Sequence, residues 1–125
     1  MFLIKDNHIS AAGSITKAIE KCKDYRKKFN LDSKIEVETS NIEQVREALS
    51  CEVDIIMLDN FNPAEMKKAV ELINGHAEIE ASGNITLDKV KEIAETGVDY
   101  ISVGAITHSV KALDISLELN ITSQN

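Results

Sequence analysis

The sequence predicts an α/β domain built on a parallel sheet of about five strands, and three observations lead there. Short apolar runs alternate with amphipathic segments. Each amphipathic segment has its own start signal, and most have a stop signal. The composition, 43% hydrophobic with one Pro and five Gly in 125 residues, can bury a real core in one compact domain.

The first strand is Phe2-Leu3-Ile4. The clearest helical period follows at Ile15, Ala18, Ile19, Cys22, Tyr25 and Phe29, which share one helix face, and Ser14 stands where the N-cap belongs. Ile35-Glu36-Val37 reads as the second strand. Ile42, Val45, Ala48 and Leu49 form the stripe of the next helix, with Asn41 and Gln44 spaced as a capping box. Ile55-Ile56-Met57-Leu58 is the third strand. Asn62-Pro63-Ala64-Glu65 then combines a cap, a Pro at the first helical position and a Glu at the third, ahead of the stripe Met66, Ala69, Val70 and Ile73 and the stop Gly75. A weaker strand spans Ala77 to Ala81. Thr86 is placed to cap a helix with Leu87, Val90, Ile93 and Ala94 on one face, and Gly97 to end it. Tyr100-Ile101-Ser102-Val103 is the fifth strand. In the tail, Leu113, Ile115, Leu117 and Leu119 alternate with Asp114, Ser116 and Glu118, the period of an edge strand, with a short helix as the alternative.

Charge excludes one class of partner. The chain carries 14 basic and 21 acidic residues, net −7. Residues 1–33 hold seven basic and four acidic side chains, leaving seven and seventeen for the rest. An acidic body of this kind does not present the cationic footprint that nucleic acid requires. The basic stretch from Lys17 to Lys28 reads as a solvated helix face, without an aromatic stacking series. Cys22 and Cys51 form neither a metal spacing nor a disulfide framework, which fits a reducing compartment such as the cytoplasm. No apolar run approaches the roughly 20 residues of a membrane span, and the N-terminus lacks a signal-peptide core.

In parallel α/β folds ligands bind beyond the carboxyl ends of the strands. Here those ends are polar: Lys5-Asp6-Asn7-His8, Glu38, Asp59-Asn60, Ser82-Gly83-Asn84 and Gly104. Brought to one rim, Glu38 and Asp59 suit a hard divalent cation such as Mg2+, with substrate oxygens and water completing its shell. Lys5 suits a phosphate or carboxylate. The small residues Ser82, Gly83 and Gly104 let backbone N–H groups approach an anion. His8, His76 and His108 share no metal-binding spacing, though His8 and His108 fall near the rim.

Five βα-like units also resemble a phosphoacceptor receiver domain, with Asp54 to Asp59 followed by Pro63 as its third strand and acceptor. Two receiver positions are missing: Lys5-Asp6 stands where an acidic pair is expected, and Val103-Gly104-Ala105 where a Lys is expected. A closer resemblance runs through five ordered segments: Leu3-Ile4-Lys5-Asp6-Asn7-His8-Ile9, Lys34 to Glu38, Ile56 to Asn60, Glu80 to Ile85, and Gly97 to Ser109. Together they resemble the carboxyl-terminal domain of the quinolinate phosphoribosyltransferases, the carboxylating nicotinate-nucleotide pyrophosphorylases, over nearly the whole chain.

That resemblance implies a partial (βα) TIM-like barrel, one partial domain over residues 1–125, lacking the first barrel strands and the amino-terminal domain. It implies joining of quinolinate to phosphoribosyl pyrophosphate with Mg2+, release of pyrophosphate and carbon dioxide, and formation of nicotinate mononucleotide for NAD biosynthesis. By position, Glu38 and Asp59 would serve the ribose hydroxyls and the metal. Lys5 would join the cationic substrate shell, and Ser82, Gly83, Asn84, Gly104 and His108 would face phosphate. Arg26 and Arg46, the chain's two arginines, match no dicarboxylate-binding position of the family. The expectation is therefore a chain with little turnover alone. It would be either a portion of a normally homo-oligomeric enzyme or a non-catalytic fragment associating through exposed barrel edges.

Overall fold

A computed structural model describes residues 1–108, 113 and 115–117. Its elements run β1 (Phe2–Ile4), α1 (Asp6–Ala12), α2 (Ile15–Lys28), β2 (Ile35–Thr39), α3 (Ile42–Ser50), β3 (Ile55–Asp59), α4 (Pro63–Ile73), β4 (Glu78–Ser82), α5 (Val90–Ala94), β5 (Tyr100–Ile101) and α6 (Ala105–His108). The five strands are all parallel and lie side by side in chain order, β1-β2-β3-β4-β5. A receiver-type doubly wound sheet has its first two strands exchanged, in the order 2-1-3-4-5. The sequential order belongs to a barrel wall instead.

The two faces of the sheet differ sharply. Side chains alternate along a strand, and one set, Ile4, Ile35, Val37, Ile56, Leu58, Ile79 and Ala81, joins the helices in a single apolar core. From the helices that core takes Ile15, Ala18 and Ile19 of α2, Val45 and Ala48 of α3, Met66, Ala69 and Ile73 of α4, and Ile93 of α5. The other set comprises Leu3, Glu36, Glu38, Ile55, Met57, Asp59, Glu78, Glu80, Ser82, Tyr100 and Ser102. This is the face that a closed barrel turns toward its lumen.

Helix boundaries follow the caps. Ser14 Oγ accepts from Lys17 N at the start of α2. Asn62 and Glu65 close a full capping box on α4. At α3, Asn41 Oδ1 accepts from Gln44 N, but the reciprocal bond reaches one residue further back, from Ser40 N to Gln44 Oε1. Helix α4 ends on Asn74 in the left-handed region, one residue before the expected Gly75.

Beyond the polar end of the first strand, Asp6–Ala12 form a helix the sequence did not announce, α1, ended by Gly13 at φ +94°. Two expectations are corrected. Helix α5 begins at Val90, later than Thr86 suggested, because the backbone after Thr86 first makes a turn from Lys89 N to Thr86 O. Leu87 is accordingly exposed, off the apolar face assigned to it. In the tail, Leu113, Ile115, Ser116 and Leu117 lie in no helix or strand, and the rest of the proposed edge strand falls outside the described residues. Among the described residues no helix is long and apolar enough to cross a membrane.

Candidate functional site

The carboxyl ends of the strands bring the rim residues together through register alone. Ile4 pairs with Val37, Glu38 with Met57, and Asp59 with Ser82. Lys5, Glu38, Asp59 and Ser82 therefore all take the side-chain parity of the lumen face. Lys5 Nζ lies 3.3 Å from Glu38 Oε2, with the Glu38 side chain only 14% exposed and Lys5 half exposed. This pairing positions the Glu38 carboxylate and leaves the Lys5 ammonium facing solvent. A cavity of about 140 Å³ beside it is lined by Asp6, Ile9, Ser10, Glu38, Ser40 and Gln44.

On the next two strands the turns after Asp59 and Ser82 are built as one unit. Asn60 (φ +59°), Gly83 (φ +89°) and Asn84 (φ +49°) all occupy the left-handed region, where asparagine and glycine are favoured. Asn60 N donates to Ser82 O at 3.0 Å, Asn60 Nδ2 donates to Asp59 Oδ2 at 2.7 Å, and Asn84 Nδ2 donates to Asn60 Oδ1 at 3.0 Å. Asn60 thus orients the Asp59 carboxylate and ties it to the Ser82–Asn84 loop. A Cβ on Gly83 would stand 2.6 Å from Asn60 N, so only glycine lets the two turns approach this closely. Sequence reasoning placed Asp59, Asn60, Ser82, Gly83 and Asn84 on the rim but gave Asn60 no role, although its place between a strand-ending carboxylate and a helix cap was visible. Behind these turns lies a cavity of about 420 Å³, with Asn60, Gly83, Asn84 and Lys89 among its lining residues.

The remaining expected residues are placed less completely. Gly104 follows β5 and accepts from Thr107 N and Thr107 Oγ1 through its carbonyl, opening the turn into α6. His108 closes α6, and its side chain lies outside the described residues. His8 does not extend the rim: its Nδ1 accepts from Lys5 N at 2.9 Å and caps α1. Arg26 sits at the opposite end of the strands, 3.2 Å from Asp54 Oδ2 and 3.2 Å from Ser33 O, a structural role consistent with its absence from the rim. Cys22 and Cys51 are free thiols, and burial pushes the Cys22 thiol up, away from nucleophile behaviour.

Among the described residues no three His, Cys, Asp or Glu side chains converge as a metal cage. The donor set at the rim is two carboxylates, on adjacent strands and on one face. Such a pair suits a hard cation that keeps most of its shell as water and substrate oxygens, and not a transition metal held wholly by protein.

The comparisons with known proteins agree with this geometry. The nicotinate-nucleotide pyrophosphorylase [carboxylating] of Arabidopsis thaliana is 50% identical over 96% of this chain, which spans 39% of that protein. The probable nicotinate-nucleotide pyrophosphorylase [carboxylating] of Bacillus subtilis is 43% identical over 98% of the chain and 42% of its own length. The solved structure of the nicotinate-nucleotide pyrophosphorylase from Francisella tularensis superposes with a TM-score of 0.83 at 43% identity, covering 92% of this chain and 40% of that one. The chain thus spans about two fifths of the length of its relatives. The family model for the quinolinate phosphoribosyl transferase C-terminal domain matches residues 1–118. With the sequential parallel sheet and polar rim already in place, that match shows that the chain belongs to the quinolinate phosphoribosyl transferase family.

Proposed function

We propose that this chain supplies the phosphoribosyl-handling part of an enzyme that joins quinolinate to phosphoribosyl pyrophosphate, releasing pyrophosphate and carbon dioxide and giving nicotinate mononucleotide. One observation carries the reading: Lys5, Glu38, Asp59 and the Ser82-Gly83-Asn84 turn converge on one side of one rim. Residues 1–125 act as one partial barrel domain, and the two free thiols fit a reducing, cytoplasmic setting.

As pyrophosphate departs, positive charge develops on the ribose. Glu38 and Asp59 stabilise it electrostatically, and Lys5 holds Glu38 in place for that task. Asn60 keeps Asp59 aimed at the same space. The backbone at Ser82, Gly83, Asn84 and Gly104, with His108, faces the phosphate. Glu38 and Asp59 are also the residues that would hold Mg2+, whose charge would steady the leaving pyrophosphate. The cationic clamp for the quinolinate carboxylates is not provided by Arg26, which is occupied by Asp54, nor by Arg46 on α3. It comes from polypeptide that the relatives have and this chain does not span, as does the subunit contact of a homo-oligomer.

Two measurements test this. Calorimetric titration with phosphoribosyl pyrophosphate is expected to show Mg2+-dependent binding that Asp59→Asn weakens at least tenfold. Nicotinate mononucleotide formation by the chain alone is expected to fall at least a hundredfold below that of the intact Bacillus subtilis relative. Equal turnover would remove the case for a missing clamp, and an unaltered affinity in Asp59→Asn would remove Asp59 from the site.

A further inference from the structure

Three consecutive residues of the turn after β4 grip Asn60. Ser82 O accepts from Asn60 N at 3.0 Å. Gly83 leaves open the space beside the Asn60 side chain that a Cβ would fill. Asn84 Nδ2 donates to Asn60 Oδ1 at 3.0 Å. The other end of the same side-chain amide turns to the rim, where Asn60 Nδ2 donates to Asp59 Oδ2 at 2.7 Å.

A side-chain amide has a donor end and an acceptor end, and both neighbours select the same orientation of this one. Asn84 offers a donor and takes the Asn60 oxygen; the Asp59 carboxylate accepts and takes the nitrogen. Turned over, Asn60 would set oxygen against oxygen at Asp59 and nitrogen against nitrogen at Asn84. The bond to Asp59 involves a carboxylate and is the stronger of the two, while the bond from Asn84 keeps the amide from turning away. It engages Asp59 Oδ2 and so presents Oδ1 to a cation. Backbone needs do not account for these asparagines. Both sit at positive φ, +59° and +49°, where glycine would serve at least as well, and only the side chains build the relay.

We propose that Asn84 is a positioning residue for the rim: acting only through Asn60, it fixes which oxygen Asp59 presents to Mg2+ and in which direction. This rests on the reading of Asp59 as a Mg2+ ligand given above, and it gives a residue of the phosphate-facing turn a second task. The turn after β4 and the carboxylate at the end of β3 are then not set independently, and a side chain lost from the turn is felt one strand away. Because the effect has to cross Asn60, removing either asparagine side chain forfeits the same alignment. Removing both forfeits no more, which is the signature of two residues acting in series.

The test uses the whole chain and glycine substitutions, which keep the positive φ while removing the side chain. Calorimetry with phosphoribosyl pyrophosphate and Mg2+ is expected to give roughly three- to tenfold weaker binding for Asn84→Gly and for Asn60→Gly. The double variant is expected to lose no more than the weaker-binding single one, with circular dichroism and thermal midpoints close to the parent's throughout. NMR of the chain labelled with 13C at aspartate carboxyls reads the relay without any ligand: at fixed pH, Asn84→Gly is expected to move the Asp59 signal, and to leave it in place when residue 60 is already glycine. Failure of the parent to bind phosphoribosyl pyrophosphate would count against the proposed function, and the carboxyl signal would then decide the role of Asn84 by itself. Losses that add, full affinity in Asn84→Gly, or an Asp59 signal indifferent to Asn84 would overturn the proposal.

Discussion

Glu36 makes the pH dependence of this chain predictable in sign. Its carboxyl titrates near 4.5 in the unfolded chain and about 7 in the folded one, so the folded state binds the proton more tightly between those values. Below pH 4.5 the group is neutral in both states and costs nothing. As pH rises through 7, ionisation of the buried group destabilises the fold. Glu36→Gln is therefore expected to be more stable than the parent at pH 8, by roughly 1–3 kcal/mol, with the gap closing toward pH 4.5. Urea midpoints at the two pH values check it, and a gap that widens on acidification would contradict the assignment. At the rim, Gly83→Ala forces a side chain into the left-handed region and against Asn60, with an expected loss of about 1–3 kcal/mol in the same assay. Glu36 also marks the limit of what the sequence reveals. Lys5, Glu38, Asp59 and Ser82 were legible because each ends an apolar run, and strand parity then puts them on one face. Glu36 was not, since Ile-Glu-Val-Glu reads as a half-solvated strand, and only the neighbouring strands show that the first Glu is buried.

Among the elements, most of the architecture was legible because the helices announce themselves through capping chemistry. Asn62→Ala on α4 removes a cap that satisfies Glu65 N and is expected to cost about 1 kcal/mol, read as a lowered thermal midpoint with an unchanged spectrum. The short helix α1 escaped notice because none of its residues is fully buried, so it lacks a period to detect. Strand starts carry a repeated device of their own. Asp54 Oδ2 accepts from Ile35 N at 2.7 Å, and Asp99 Oδ2 accepts from Ile79 N at 2.8 Å. In each case an aspartate just before one strand satisfies an amide at the start of the preceding one. Val53-Asp54 and Val98-Asp99 look alike in the sequence, but their shared purpose depends on strand pairing, which a single sequence does not display. Asp99→Ala leaves the Ile79 amide without its acceptor. We expect it to loosen β4 and β5 together, measured as faster amide exchange in both, with β1 unaffected.

For the whole molecule, sequence reasoning reached the sheet and the order of its elements, and the family resemblance then favoured the barrel portion, with the receiver as the alternative. Strand order decides between them, and order is set by pairings between segments that local patterns do not encode. The same order has a kinetic meaning. Because every strand pairs with its neighbours in sequence, no native pairing has to wait for a distant part of the chain, and each unit can assemble on the one before it. Such a linear array is most protected in the middle and frays at its ends. β3, flanked on both sides, should hold its amide hydrogens longest. β5, two residues long and paired on one side, should exchange first, so that the chain opens from the edges at which the rest of a barrel would attach.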